Sequence, residues 1–121
     1  MTIDGLKSFG ANVDEGLRRC MNNEEFYLKM VAKAAQNDSF EKLEGAVKEG
    51  DLGAAFDAAH ALKGVLANLA LSPIHEPICE IVELLRGKTQ MDYSPLVQKI
   101  LEKRNELKAL RETKRQICFF L

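Results

Sequence analysis

The sequence predicts an all-α fold: an up-and-down antiparallel helical bundle with a four-helix bundle core and extra N-terminal helices. Apolar residues recur at helical spacing, helix start signals repeat at short intervals, and no segment shows the strict alternation of a half-buried strand. Each apolar stripe is too narrow to stabilise an isolated helix in water, so the helices must pack against one another. The connections between them are short, which favours antiparallel neighbours.

The N-terminal half contains a short segment over 3–9 and then three helices whose starts are marked by capping signals. Asn12, Asn22 and Asp38 each stand three residues before a glutamate, which is the spacing of a capping box or its close variant. We assign the apolar residues that follow these signals to the core, methionines and phenylalanines included: Val13, Leu17, Cys20 and Met21; Phe26, Tyr27, Met30, Val31 and Ala34; Phe40, Leu43 and Val47.

Two further helices follow in the middle of the chain. Gly50 and Asp51 indicate a helix stop and then the N-cap of a helix over about 51–71. The next helix carries apolar residues from 74 to 85 and ends near Gly87. It also contains the second histidine, His75, which we interpret as structural or merely exposed.

A long C-terminal helix is predicted over about 95–115. Ser94 and Pro95 have the residue types of an N-cap and a first helical position. From Lys99 to Arg115 the helix is dense in Lys, Arg and Glu, which is typical of a solvated face. The alternative is an extra contact surface or a dimer element, and the apolar tail over 117–121 must fold back onto the bundle or meet a partner.

Length and composition predict one domain over residues 1–121. The chain has 121 residues and 46% hydrophobic residues, enough for a single modest core. A net charge of −1 gives no reason to expect nucleic acid or a membrane surface as a partner. No apolar run approaches the roughly 18–20 residues that span a bilayer, and no secretory signal begins the chain, so we expect a cytoplasmic protein.

The three cysteines favour the same compartment. Cys20, Cys79 and Cys118 are an odd number and lack the C-x-x-C spacing, so they do not suit a disulfide framework or a zinc site. We expect Cys20 and Cys79 to be small buried residues.

The helix over 51–71 carries a histidine on the face opposite its apolar residues. At about 100° per residue, the far side from His60 is occupied by Ala55, Ala58, Ala59, Leu62, Val65, Leu66 and Leu69. His60 is therefore predicted to point away from the core. On its own, a histidine on a helix is more often a surface residue or a satisfied core residue than a reactive one.

The neighbours of His60 favour a reactive histidine. Lys63 lies one turn further along the same face, where its ammonium can reach an anion carried by the imidazole. Gly64 lies four residues after His60, and a glycine in a helix interior costs about 1 kcal/mol relative to alanine. This glycine is explained if another molecule brings its backbone close to His60. Asn68 adds a hydrogen-bonding group two turns along.

The run Ala59-His60-Ala61-Leu62-Lys63-Gly64, followed by Asn68-Leu69-Ala70-Leu71, resembles the signature of the histidine-containing phosphotransfer (HPt) domains of multistep phosphorelays. The resemblance implies a helical bundle whose exposed histidine takes a phosphoryl group from one receiver-domain aspartate and passes it to another. By this resemblance His60 is the phospho-acceptor, Lys63 its basic neighbour and Gly64 the small residue that admits the receiver. Ala70 departs from the family, which often has glycine there, and this puts the end of the helix in question.

The resemblance also implies the partners and the cofactor. The partners are the receiver domains of a hybrid sensor kinase and of a response regulator, and the receiver supplies Mg²⁺. No cofactor is expected in this chain, because it shows no cluster of acidic residues and histidines suited to a metal and no glycine-rich phosphate loop. We therefore expect a stoichiometric phosphoryl carrier without an ATP site, not an enzyme.

The same helix arithmetic predicts a docking face around His60. Its predicted members are Gly53, Phe56, Asp57, Ala67, Asn68 and Leu71. Two other functions remain open at this point. One is a non-phosphorylated helical adaptor that binds receiver or kinase domains, and the other is a small bundle enzyme or metal carrier, which would need clustered inward-pointing ligands.

Overall fold

The computed structural model describes the backbone of residues 2–120 and the side chains of residues 2–110. The described chain forms seven helices and no strand, which confirms the all-α prediction. They are α1 (Ile3–Phe9), α2 (Val13–Arg19), α3 (Glu24–Ala35), α4 (Ser39–Glu49), α5 (Leu52–Asn68), α6 (Ser72–Arg86) and α7 (Ser94–Phe120). Within the described residues, none of these helices combines the length and the apolar character needed to cross a membrane.

Helices α4 to α7 form a four-helix bundle in which each helix packs against the next and α7 closes the ring on α4. Residues 50–51 join α4 to α5 and residues 69–71 join α5 to α6, links so short that these neighbours run antiparallel. Helices α1 and α3 pack on α7, and α2 contacts both of them. The buried side chains form one core, and its largest fully buried members include Tyr27, Phe40, Leu62, Ile78 and Ile100.

The N-terminal capping signals are partly confirmed. The side chain of Asn12 accepts a hydrogen bond from the Glu15 amide and begins α2, as predicted. The cap of α3 is Asn23 instead of the predicted Asn22, and its Oδ1 accepts from the Phe26 amide at 3.0 Å. Asn22 itself has a left-handed backbone with φ of 56°, a conformation that cannot begin a helix.

Other predictions for this half of the chain are wrong in detail. Asp38 stands at the N-cap of α4 but makes no side-chain capping bond, and Asn37 instead accepts from the Ser39 amide at 2.8 Å. Met21 and Phe26 were assigned to the core, yet they are 85% and 43% exposed. Met21 lies in the turn between α2 and α3 with φ of 56°, which turns its side chain out of the helical stripe.

The histidine-bearing helix α5 begins as predicted and ends early. The Asp51 carboxylate accepts from the Ala54 amide at 3.0 Å, so Asp51 is the N-cap. The helix ends at Asn68 instead of residue 71, because Ala70 adopts a left-handed backbone with φ of 55°. The Leu71 amide donates to the Leu66 carbonyl and the Ala70 amide to the Ala67 carbonyl, both at 3.1 Å. These two bonds are a Schellman C-cap with alanine where glycine is usual.

We expect Ala70→Gly to raise the free energy of unfolding by about 1 kcal/mol, because glycine adopts the left-handed conformation without the steric cost that alanine carries. Urea denaturation of the two proteins measures the difference. The control is Ala61→Gly, an exposed position inside the same helix, which should lose about 1 kcal/mol. Equal losses in the two variants would contradict the assigned C-cap.

Helix α7 is longer than predicted. It runs from Ser94 to Phe120, whereas a helix over about 95–115 was expected. Ser94 lies inside the helix instead of at its N-cap, and its amide donates to the Asp92 carboxylate at 3.0 Å. The side chains of residues 111–121, which include Cys118 and the apolar tail, lie outside the described residues.

One charged residue of α7, Arg104, is buried, although the charged part of this helix was predicted to be a solvated face. Arg104 is only 8% exposed; its Nη1 donates to the Glu41 carboxylate on α4 at 2.9 Å, and its guanidinium lies 5.2 Å from the centre of the Phe40 ring. The hydrogen bond from Arg104 lowers the pKa of the Glu41 carboxyl. This pair helps to fix α7 against α4.

Candidate functional site

His60 lies in the middle of α5 with its side chain exposed to solvent. The opposite side of the helix is buried as the periodicity predicts, with Val65 only half-buried. The buried members of that stripe are Ala55, Ala58, Ala59, Leu62, Leu66 and Leu69. Packing of this stripe against α4 and α6 sets the rotation of α5 and thereby directs His60 outward.

Lys63 and Gly64 flank the histidine one turn further along α5. Lys63 is half-buried, and Gly64 is exposed. A Cβ atom placed on Gly64 would meet no heavy atom within 4 Å. Packing among the described residues therefore gives no reason for glycine here, and the surface beside His60 is open to another molecule.

An aromatic ring packs against the imidazole from the preceding turn. The rings of Phe56 and His60 are stacked, with centroids 5.6 Å apart and an interplanar angle of 19°. The guanidinium carbon of Arg86, at the end of α6, lies 5.9 Å from the centre of the Phe56 ring. Phe56 was expected near His60, whereas Arg86 was missed, because it reaches the site from the neighbouring helix.

A groove of about 430 Å³ lies between the start of α5 and the end of α6, and it reaches Phe56 and Asp57 on the turn before the histidine. Three predicted docking residues line it: Gly53, Phe56 and Asp57. Arg86 and Lys88 add positive charge along its other wall. The complete lining is Leu52, Gly53, Phe56, Asp57, Leu85, Arg86, Lys88 and Gln90.

The far end of the predicted docking face is only partly as expected. Asn68 is exposed and Ala67 is half-buried on α5, so both are accessible. Leu71 is fully buried, and its inclusion in the docking face is wrong. The helix ends at Asn68 and the chain turns at the left-handed Ala70, so the angular position calculated for Leu71 on a continuing helix does not apply.

Comparison with known protein families identifies the fold that carries this site. The sequence model of the Hpt domain family matches residues 29–113, which is more than half of the chain and includes His60. The chain belongs to the Hpt domain family. No curated protein and no solved structure matches it significantly.

Family membership gives this HPt domain its general function, which is histidine phosphotransfer in two-component signalling. Proteins of the family carry phosphoryl groups instead of turning over a substrate as enzymes do, and they work with receiver or kinase domains.

Residues that precede the matched region stabilise the end of the histidine-bearing helix. The last carbonyl groups of an α-helix lack partners within it. In this HPt domain α2, the segment before it and the start of α3 supply donors at 2.9–3.0 Å to carbonyls at and just after the end of α5: Arg19 Nη1 to the Ala67 carbonyl, the Tyr27 hydroxyl to the Leu69 carbonyl, and the Asn12 amide to the Ala70 carbonyl. Burial of the Tyr27 side chain, and then Cys20 beside it, raises the pKa of the hydroxyl to about 12.

The second histidine of the HPt domain lies in a different environment from His60. His75 on α6 is half-buried, and its Nε2 lies 3.3 Å from the Cys79 sulfur. Burial lowers the pKa of its imidazole, and the charge of Lys63 lowers it further. These contacts agree with the structural interpretation. Among the residues that the structure describes, no group of three or more His, Cys, Asp or Glu side chains could hold a metal ion.

Proposed function

We propose that this HPt domain carries a phosphoryl group on His60 between receiver-domain aspartates of a multistep phosphorelay, those of a hybrid sensor kinase and of a response regulator. The observation that supports it most is the open surface beside an exposed imidazole, where Gly64 leaves space for a partner. Membership of the Hpt domain family supports the same chemistry.

Each transfer exchanges one bond to phosphorus for another. A neutral ring nitrogen of His60 attacks the phosphorus of the aspartyl phosphate, the new N–P bond forms as the P–O bond breaks, and the aspartate leaves as a carboxylate. The reverse sequence passes the group to the next aspartate. Transfer of this kind depends mainly on in-line positioning and on neutralising charge. We assign Lys63 to offset part of the roughly two negative charges on phosphohistidine.

The remaining components of the reaction belong to the partner. We expect the receiver to provide the aspartate and Mg²⁺, and this chain to need neither a cofactor nor an ATP site. The docking face that we propose comprises the accessible predicted residues around His60: Gly53, Phe56, Asp57, Ala67 and Asn68.

Intact-mass analysis after incubation with a phosphorylated receiver domain tests the proposal. We expect wild type to gain one acid-labile phosphoryl group and His60→Gln to gain none. Because His60 is exposed, the substitution should change the free energy of unfolding by no more than about 0.5 kcal/mol.

His75→Gln is the matched control, since it removes the other histidine of the chain and should retain the mass gain. A wild type that binds several receivers but is phosphorylated by none would refute the proposal and support a non-phosphorylated adaptor. Phosphorylation that is lost in His75→Gln and kept in His60→Gln would refute the choice of histidine.

A further inference from the structure

We infer that Phe56 is a positioning residue for phosphoryl transfer, and that the stacked Arg86, Phe56 and His60 side chains hold the imidazole in the plane that the reaction requires. This inference rests on the proposed role of His60 as phospho-acceptor. It goes beyond the docking role proposed for Phe56, because it assigns the ring a contact within the chain in addition to a contact with the receiver.

The contact with Phe56 restrains the rotation of the His60 imidazole about its Cβ–Cγ bond, which sets the direction of the ring nitrogens. The Phe56 ring lies nearly parallel to the imidazole, at 19° and with centroids 5.6 Å apart, so it packs in an offset stack against one side of the imidazole. Turning the imidazole about its Cβ–Cγ bond would break this contact. The lone pair of a ring nitrogen lies in the ring plane, so a fixed plane also fixes the direction of attack on phosphorus. The nitrogen edges stay free, because stacking occupies a face.

A side chain of α6, Arg86, restrains Phe56 in turn. The Arg86 guanidinium carbon lies 5.9 Å from the Phe56 ring centre, within the range of a cation–π attraction. Its Nη1 also donates to the Glu83 carboxylate one turn earlier on α6 at 2.7 Å, which restrains the guanidinium. The orientation of the imidazole on α5 therefore depends on a side chain of α6.

Positioning and docking make different kinetic predictions. A residue that orients the nucleophile changes the maximal rate constant of transfer within the complex. A residue that only binds the receiver changes the receiver concentration that gives half of that rate. Single-turnover transfer from a phosphorylated receiver, measured across receiver concentrations, separates the two quantities.

We expect Phe56→Leu to lower the maximal rate constant about tenfold, beyond any change in the half-saturating receiver concentration that loss of a docking contact causes. Phe56→Tyr keeps the ring and should restore the rate constant to within about twofold. Arg86→Gln should fall between Phe56→Leu and wild type, because it removes the cation and keeps the stack. An unchanged rate constant in Phe56→Leu, a change confined to half-saturation, or a failure of tyrosine to rescue would overturn the inference.

Phosphoramidate, a small phosphoryl donor that needs no docking, distinguishes this inference from the proposed function. It should phosphorylate His60 in wild type and in all three variants, showing that the imidazole is still an acceptor. If phosphoramidate and receivers both leave wild-type His60 unmodified, the proposed function itself fails. If wild type is phosphorylated and Phe56→Leu transfers at the same maximal rate, only the positioning role fails.

Discussion

Replacement of Gly64 by glutamine is expected to slow phosphoryl transfer from a receiver domain by at least about 100-fold while stabilising the fold slightly. A Cβ at this position meets no heavy atom within 4 Å, so the fold accepts the side chain, and a better helix former gains up to about 1 kcal/mol. The same side chain fills the space one turn from His60 that the receiver must enter. A displacement of about 1 Å between reacting groups is enough for a loss of this size.

Two controls separate the effect on receiver access to His60 from effects on fold stability and on the reactivity of the imidazole. Gly45 on α4 also has open space around an added Cβ, and α4 carries none of the proposed docking residues, so Gly45→Gln should gain stability and keep its transfer rate. Phosphoramidate should label His60 equally in wild type and in Gly64→Gln, because a small donor needs little space. Urea denaturation and single-turnover transfer provide the measurements, and a wild-type rate in Gly64→Gln would exclude the proposed approach of the receiver.

Replacement of Gly16 by alanine is expected to lower the free energy of unfolding by about 2–4 kcal/mol. The added Cβ would lie 2.5 Å from Cε1 and 2.7 Å from Cζ and Oη of Tyr27. The Tyr27 ring is fully buried, and its hydroxyl donates to the Leu69 carbonyl at 2.9 Å. The ring therefore has to shift, which strains the core and weakens a buried hydrogen bond at the end of α5.

Thermal and urea denaturation measure this loss, and a double-mutant cycle assigns its cause. If the clash with the ring is responsible, Gly16→Ala should cost less than about 1 kcal/mol in a Tyr27→Leu background. Additive losses in the double variant would show that the alanine acts through something other than Tyr27.

Much of the molecule could be predicted from relationships within single helices. The Asp51 cap, the buried stripe of α5 and the outward direction of His60 all depend on residues three or four positions apart. Such residues lie on the same turn or the same face whatever surrounds the helix. The run from Ala59 to Gly64 could be matched to the HPt signature for the same reason, because it occupies one continuous helix.

Two predictions at the end of α5 are wrong, the last residue of the helix and the exposure of Leu71, because the conformation of Ala70 does not follow from its residue type. Ala70 favours a helix by its intrinsic propensity, yet it adopts the left-handed conformation in which α5 ends. Helical arithmetic continued past Asn68 therefore assigned Leu71 to the docking face, although Leu71 is buried. Donors from α2, α3 and the segment before α2 satisfy the carbonyls there, and they come from more than 40 positions away.

The sequence by itself determined the helical class, the histidine that faces solvent and the open approach beside it, because helical periodicity and capping are local. Only the tertiary structure decided that Arg86 lies over the Phe56 ring beside that histidine and that, elsewhere in the bundle, Arg104 is buried against Glu41. These contacts depend on how far each helix is shifted and rotated relative to its neighbours. That register is set by packing of the whole core, and no spacing within one helix encodes it.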